Sequence, residues 1–94
     1  MNIGKIRHNG LRRLYAHDDA RGVPDTCAKR LRNILAALDF GADLSQIERC
    51  LEWRLHELKG ERRGTYAISV TGNWRFTFQI AQATVTDLDF ENYH

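Results

Sequence analysis

The chain of 94 residues has only two cysteines, one proline and no long apolar run. Cys27 and Cys50 lack the CxxC spacing of zinc modules, and their number argues against a disulfide scaffold, so we expect buried free thiols in a reducing cytoplasm. No stretch approaches the roughly 20 apolar residues of a membrane span. A signal-peptide pattern, a glycine-rich phosphate loop and a nucleophile elbow are also missing. We therefore expect one cytoplasmic domain over residues 1–94, with no membrane segment, metal or cofactor.

The charged residues are unevenly distributed, although the formal net charge is only +2. Of the 14 lysines and arginines, all but Arg75 lie at or before Arg63, and the acids Asp87, Asp89 and Glu91 follow. A basic body suits a polyanionic partner such as nucleic acid. The alternative is an ordinary solvated basic face, and charge alone does not decide between them.

The first half of the chain has helical periodicity after one short strand. We predict a strand over residues 2–8 and a short helix over 10–18. Pro24 is suited to the first position of the longest helix, which runs to about Asp39. Asp43 and Gln46 form a predicted capping box that opens a third, short helix. The longest helix has an apolar stripe: Cys27, Leu31, Ile34, Leu35 and Leu38.

The second half alternates with period two and predicts an antiparallel meander from Trp53 to Ile80, followed by a strand over Thr84–Phe90. One face of the sheet is apolar, with Tyr66, Ile68, Val70, Trp74, Phe76, Phe78 and Ile80. Since side chains alternate, Arg75 and His56 should share the other face, here called the open face. A strand, then helices, then strands predicts an α+β fold, with two to three helices packed on one face of a mostly antiparallel four- to five-stranded sheet.

The open face carries the candidate chemistry. Metal-free cleavage of an RNA phosphodiester needs a base for the 2′-hydroxyl, cations for the phosphorane and an acid for the leaving 5′-oxygen. His56 is the candidate base, and Lys59 and Arg75 are the candidate cations. Tyr93 and His94 would add a stacking ring and a second acid or base. The alternative is that His56 is a surface histidine without a role and that the terminal pair is frayed.

Several motifs are similar to those of the HigB group in the RelE/ParE toxin superfamily. They are Trp-Arg-Leu-His-x-Leu-Lys-Gly at 53–60, Asn-Trp-Arg-Phe-Thr-Phe at 73–78, and the final Glu-x-Tyr-His at 91–94. The segments at 6–11 and 28–31 match too, so the resemblance spans nearly the whole chain. It implies a RelE/ParE-like fold and a bacterial toxin of a type II toxin–antitoxin pair that cleaves mRNA in the ribosomal A site without metal. It also implies neutralisation by a HigA-type helix-turn-helix antitoxin, through which the toxin reaches operator DNA.

Position by position, the resemblance implies that His56 is the active-site histidine, Lys59 its cationic helper and Arg75 the arginine of the Asn-Trp-Arg motif. Tyr93 and His94 match the terminal pair. The dispersed basic residues that we expect to contact ribosomal RNA or an acidic antitoxin segment are Lys5, Arg7, Lys29, Arg30, Arg32 and Arg54.

Two positions depart from the family pattern. Asn92 stands where the pattern has aspartate, and an amide cannot exchange a proton at neutral pH, which predicts a slower toxin. Glu57 replaces the usual proline and places an acid where it would disturb the approach of a phosphate. Two alternatives therefore stay open: a ParE-like gyrase poison that cleaves nothing, and an attenuated toxin that serves mainly as the antitoxin's corepressor.

Overall fold

The computed structural model describes residues 2–92, which fold into an α+β domain, as predicted. Within this part of the chain, the strands are β1 (Asn2–Ile3), β2 (His56–Glu57), β3 (Thr65–Thr71), β4 (Trp74–Ala81) and β5 (Thr84–Asn92). The α-helices are α1 (Asn9–His17), α2 (Asp25–Asp39) and α3 (Leu44–Glu48), and short 3₁₀ helices cover Ala20–Gly22, Leu51–Trp53 and Gly60–Arg62. The sheet order is β1-β5-β4-β3-β2, antiparallel except for the β1–β5 pair. Among the described helices, none is long and apolar enough to cross a bilayer.

The core lies between the helices and one face of the sheet. The predicted stripe on α2 is buried, and Ile34 and Leu35 belong to the same cluster as Phe76 and Phe78 of β4. Both phenylalanines have no exposed surface. Burying one such side chain stabilises a fold by about 1.5–3 kcal/mol, so this face is committed to packing. Any binding surface on the sheet must lie on its other side.

Local capping fixes the starts of the helices. The Nδ1 atom of His8 accepts the Leu11 N–H at 3.2 Å and caps α1. Gly10 packs so closely on the turn after α1 that an added Cβ would lie 2.2 Å from the Gly22 carbonyl oxygen. The segment 6–11 therefore has a folding role. The predicted capping box of α3, Asp43 with Gln46, is confirmed, whereas Pro24 is the N-cap of α2 and not its first helical residue.

Two strands are shorter than predicted. The predicted strand over 2–8 ends at Ile3: the Gly4 N–H still bonds to the Val85 carbonyl, but the Lys5 N–H bonds to the Thr86 hydroxyl and not to a backbone carbonyl, and a backbone bridge to β5 returns at Ile6–Leu88. β2 begins at residue 56, not 53. The chain at 51–53 forms a 3₁₀ helix, and Arg54 has a left-handed φ of 51°, which an extended strand cannot contain.

The two cysteines are both free thiols, but their burial differs. Cys27 is buried, and the surrounding apolar side chains raise the pKa of its thiol. Cys50 is exposed, so the prediction that both thiols are buried is wrong for this residue. The third helix ends at Glu48, and Cys50 directly precedes the 3₁₀ helix at Leu51–Trp53, where the segment turns at the surface and Leu51 is 83% exposed.

Candidate active site

His56 and Arg75 share the open face of the sheet, as predicted. His56 pairs with Ala67, Ala67 with Thr77, and Thr77 with Asp89, so these four residues project to the same side of four adjacent strands. Arg75 lies two residues before Thr77 on β4 and therefore projects to that side too. Strand spacing and rise place the Cα atoms of His56 and Arg75 roughly 12 Å apart.

The His56 imidazole is oriented by the backbone just before it. Its Nδ1 lies 2.9 Å from the carbonyl oxygen of Arg54. A carbonyl oxygen can only accept, so Nδ1 must carry the proton and donate it. In the neutral imidazole the other ring nitrogen, Nε2, then has the lone pair of a base, and the side chain is exposed to solvent. The left-handed conformation of Arg54 turns its carbonyl towards the ring.

The open face is narrower than the sequence predicted. Ala67 and Thr77 project onto it, yet their exposures are 0% and 1%. The segment between β2 and β3 covers this part of the sheet: Arg62 reaches across it to Glu91 on β5 and lines a cavity of about 160 Å³ together with Thr65, Thr77 and Asp89. The accessible parts of this face are therefore His56 at the β2 edge and the rim of this small polar cavity.

A cluster of three charged side chains occupies one end of the open face. Glu91 lies directly opposite Arg75 on the neighbouring strand and accepts its Nε–H at 2.7 Å. Arg62 donates to both Glu91 oxygens, at 2.7 and 3.2 Å. The hydrogen bonds from Arg62, and then those from Arg75, hold the pKa of Glu91 below its ordinary value although partial burial opposes them. In return, Glu91 raises the pKa of Arg62.

Sequence reasoning did not single out Arg62 or Glu91. Arg62 was one of many early arginines, and Glu91 was only the first residue of the Glu-x-Tyr-His motif. One signal was available: opposite charges on neighbouring strands of an antiparallel pair attract, so the parity that placed Arg75 also indicated an acid opposite it. The 29-residue separation between Arg62 and Glu91 gave no such signal.

The remaining predicted catalytic residues lie near chain turns and the terminus. Lys59 is exposed and immediately precedes the 3₁₀ helix Gly60–Arg62. Asn92 ends β5, opposite Trp74, while Tyr93 and His94 lie outside the described residues. The expected disturbance by Glu57 is not supported, because its carboxylate accepts the Gly64 N–H at 2.9 Å and closes the β2–β3 connection.

The predicted RNA-contacting residues divide between the two sides of the sheet. On α2, Arg30 donates to the backbone carbonyls of Glu52 and Ser69, at 3.2 and 3.3 Å, and Arg32 pairs with Asp18 at 2.8 Å. These two arginines therefore already tie α2 to its neighbours. Arg7 lines the polar cavity of the open face. The exposed residues of the set are Lys5, Arg7, Lys29, Arg32 and Arg54.

The described residues contain no group of three or more histidine, cysteine, aspartate or glutamate side chains placed to hold a metal ion. The arrangement on the open face instead combines one imidazole with an accessible basic nitrogen and a set of fixed cations. These groups can move a proton and stabilise a polyanion.

Comparison with known proteins shows the family to which the chain belongs. Residues 4–94 match the HigB-like toxin family, described as the RelE-like toxin of the type II toxin–antitoxin system HigB. A relative from Proteus vulgaris, "Endoribonuclease HigB", is 35% identical over 92 residues, which cover 98% of this chain and 99% of the relative. A solved toxin–antitoxin complex, RelBE2 from Mycobacterium tuberculosis, contains a chain of 20% identity and TM-score 0.44; the match covers 95% of this chain and 96% of that one. The chain therefore belongs to the HigB-like toxin family, and its partner is the antitoxin of a type II pair.

Proposed function

We propose that this toxin is an endoribonuclease that cleaves mRNA in the ribosomal A site and so inhibits translation in the cytoplasm. The observation that carries the proposal is the His56 imidazole, whose Nδ1–H is committed to the Arg54 carbonyl and whose Nε2 is left as a base on the face shared with Arg75. A protein that acted only by binding has no need of an oriented base beside fixed cations. The name of the Proteus relative supports the same activity.

The proposed reaction uses the ribose of the substrate as nucleophile. His56 Nε2 takes the proton of the 2′-hydroxyl, and the 2′-oxygen attacks the adjacent phosphorus. Arg75 and Lys59 stabilise the negative charge that gathers on the phosphorane. His94 gives a proton to the leaving 5′-oxygen, which yields a 2′,3′-cyclic phosphate and a 5′-hydroxyl end. Tyr93 stacks on a base of the substrate. No metal takes part in this scheme.

The distribution of basic residues supports a ribosomal setting for the reaction. We propose that Lys29, Arg30 and Arg32, on the helical side, contact ribosomal RNA, while the mRNA lies on the open face. Lys5, Arg7 and Arg54 complete the RNA-contacting set. A HigA-type helix-turn-helix antitoxin neutralises the toxin, and operator DNA is reached only through that antitoxin.

Induced expression in bacteria tests the proposal, with growth and primer extension on a chosen mRNA measured together. We expect growth arrest with discrete mRNA cuts from the wild type and neither from His56→Ala. The matched control is His17→Ala, which removes an exposed histidine at the end of α1 and should leave both unchanged. Arrest without cuts would reject the nuclease in favour of the gyrase-poison alternative. Arrest and cuts only in Asn92→Asp would identify a toxin attenuated at that position.

A further inference from the structure

The charged cluster at the end of the open face is unusual for a site that must attract phosphate. A carboxylate there repels RNA, yet Glu91 lies between two arginines and contacts both. Its side chain is 27% exposed, Arg75 is 17% exposed and Arg62 is 45% exposed. The carboxylate and Arg75 are therefore set into the surface, and Arg62 is the most accessible of the three.

The cluster also joins three separate parts of the chain. Arg62 belongs to the segment that follows Lys59, Arg75 is on β4, and Glu91 is near the end of β5, directly before Asn92. A bidentate carboxylate fixes the plane and direction of a guanidinium as well as its position. Glu91 thus sets where Arg62 lies relative to Arg75, although the two arginines come from elements that share no backbone pairing.

We infer that Glu91 is a positioning residue that holds Arg62 and Arg75 as a paired cationic clamp, and that Arg62 is a second residue binding an RNA phosphate at the site. The hydrogen bonds to Glu91 use two of the five N–H donors of Arg62, and the Asp89 carboxylate also acts on this guanidinium. Prearranged donors stabilise a phosphorane without reorganising during the reaction, which is how a nearby acid can favour cleavage of an anion. The inference rests on the proposed nuclease activity, and the two can fail separately.

The substitution Glu91→Gln distinguishes a positioning role from simple charge neutralisation, because the two roles predict opposite changes in the cleavage rate. If Glu91 merely neutralised the arginines, Glu91→Gln would strengthen RNA binding and speed cleavage. If Glu91 positions them, the same substitution slows the chemical step even when RNA is saturating, because misplacement by about 1 Å can cost about 10²-fold. Glutamine keeps the volume of the side chain and one acceptor oxygen. The substitution therefore removes the negative charge and the bidentate pairing with Arg62, and it leaves no cavity.

The first experiment measures single-turnover cleavage of mRNA bound to purified ribosomes. Glu91→Gln is compared with Glu48→Gln, which makes the same charge change at an exposed position on α3. We expect about 10–10²-fold slower maximal cleavage for Glu91→Gln, with equal or tighter binding, and no change for Glu48→Gln. Thermal melting checks that both variants are folded. A Glu91→Gln rate equal to or above that of Glu48→Gln would overturn the positioning role.

The second experiment does not depend on cleavage. The probe is a ribosome-bound mRNA with 2′-deoxyribose at the cleavage position, and toxin affinity is measured against salt. Arg62→Ala should lower the slope of log affinity against log salt by about 1, as the loss of one phosphate contact requires. Arg63→Ala, the exposed neighbour, should keep the wild-type slope. Equal slopes for the two variants would overturn the role of Arg62. If the wild type binds cleavable mRNA but does not cut it, the proposed nuclease activity is rejected. The salt slopes of the two variants would still show whether Arg62 binds a phosphate.

Discussion

Replacing His56 with asparagine should separate its chemistry from its local structure. The asparagine amide can take the place of Nδ1–H and donate to the Arg54 carbonyl, which His56 contacts at 2.9 Å. It has no group in the position of Nε2 and cannot accept a proton at neutral pH. The substitution therefore preserves the backbone contact and removes only the base.

The magnitude follows from the role of a general base. Such groups contribute about 10²–10⁴-fold, so the barrier for His56→Asn should rise by roughly 3–5 kcal/mol. Because His56 is exposed, the free energy of unfolding should change by no more than about 0.5 kcal/mol. Single-turnover cleavage of ribosome-bound mRNA measures the first quantity, and urea denaturation measures the second.

Two results would contradict this reasoning. Cleavage by His56→Asn within a few-fold of the wild-type rate would mean that another group takes the 2′-hydroxyl proton. A large loss of stability would mean that the imidazole has a packing role, contrary to its exposure. His17→Asn is the control, since it makes the same change at an exposed helix end.

Three further outcomes follow from the ion pairs. Arg75→Ala should lower the free energy of unfolding by about 1–2 kcal/mol in urea, because a mostly buried, charge-assisted bond to Glu91 is lost; an unchanged midpoint would refute this. The lowered pKa of Glu91 means that its stabilisation is present above pH 4.5 and lost as pH falls through the folded-state pKa, so acid should destabilise the wild type more than Glu91→Gln in denaturation at each pH. Ribosome affinity should fall steeply with salt. Arg7→Ala should reduce the slope of log affinity against log salt more than Arg32→Ala does, because the Arg32 guanidinium is already paired with Asp18. Equal slopes for the two variants would contradict the division of the basic residues between the two sides of the sheet.

The sequence predicted the helices and strands that have a continuous apolar face or that depend on contacts between residues close in the chain. The apolar stripe on α2 repeats over at least two turns, and the alternation on β3 and β4 repeats over at least three alternate positions. The sequence pattern itself therefore predicts which face of each element is buried. The capping box of α3 depends on two side chains three residues apart and was equally visible. These features place His56 and Arg75 on one face, and the placement was predicted correctly.

The features that sequence missed depend on single backbone conformations or on distant contacts. The left-handed backbone conformation of Arg54 cannot be predicted from its residue type, because glycine is the usual residue at such a φ. That conformation shortens β2 and supplies the carbonyl that orients His56. The contact between Arg62 and Glu91 spans 29 positions and depends on how the β2–β3 segment folds over the sheet. No periodic pattern encodes either feature.

A single extra residue in β5 explains why Glu91 can reach Arg75 at all. Between the pairs Thr77–Asp89 and Gln79–Thr86, β4 advances by two residues and β5 by three, and Asp87 has a left-handed φ of 52° at this bulge. A one-residue shift moves every later side chain to the other face of a sheet. Without the bulge, the parity set by buried Val85 would turn residue 91 into the core and Phe90 out of it. The bulge buries Phe90 and brings Glu91 to the open face beside Arg75, so the charged cluster depends on this local irregularity as much as on the charges themselves.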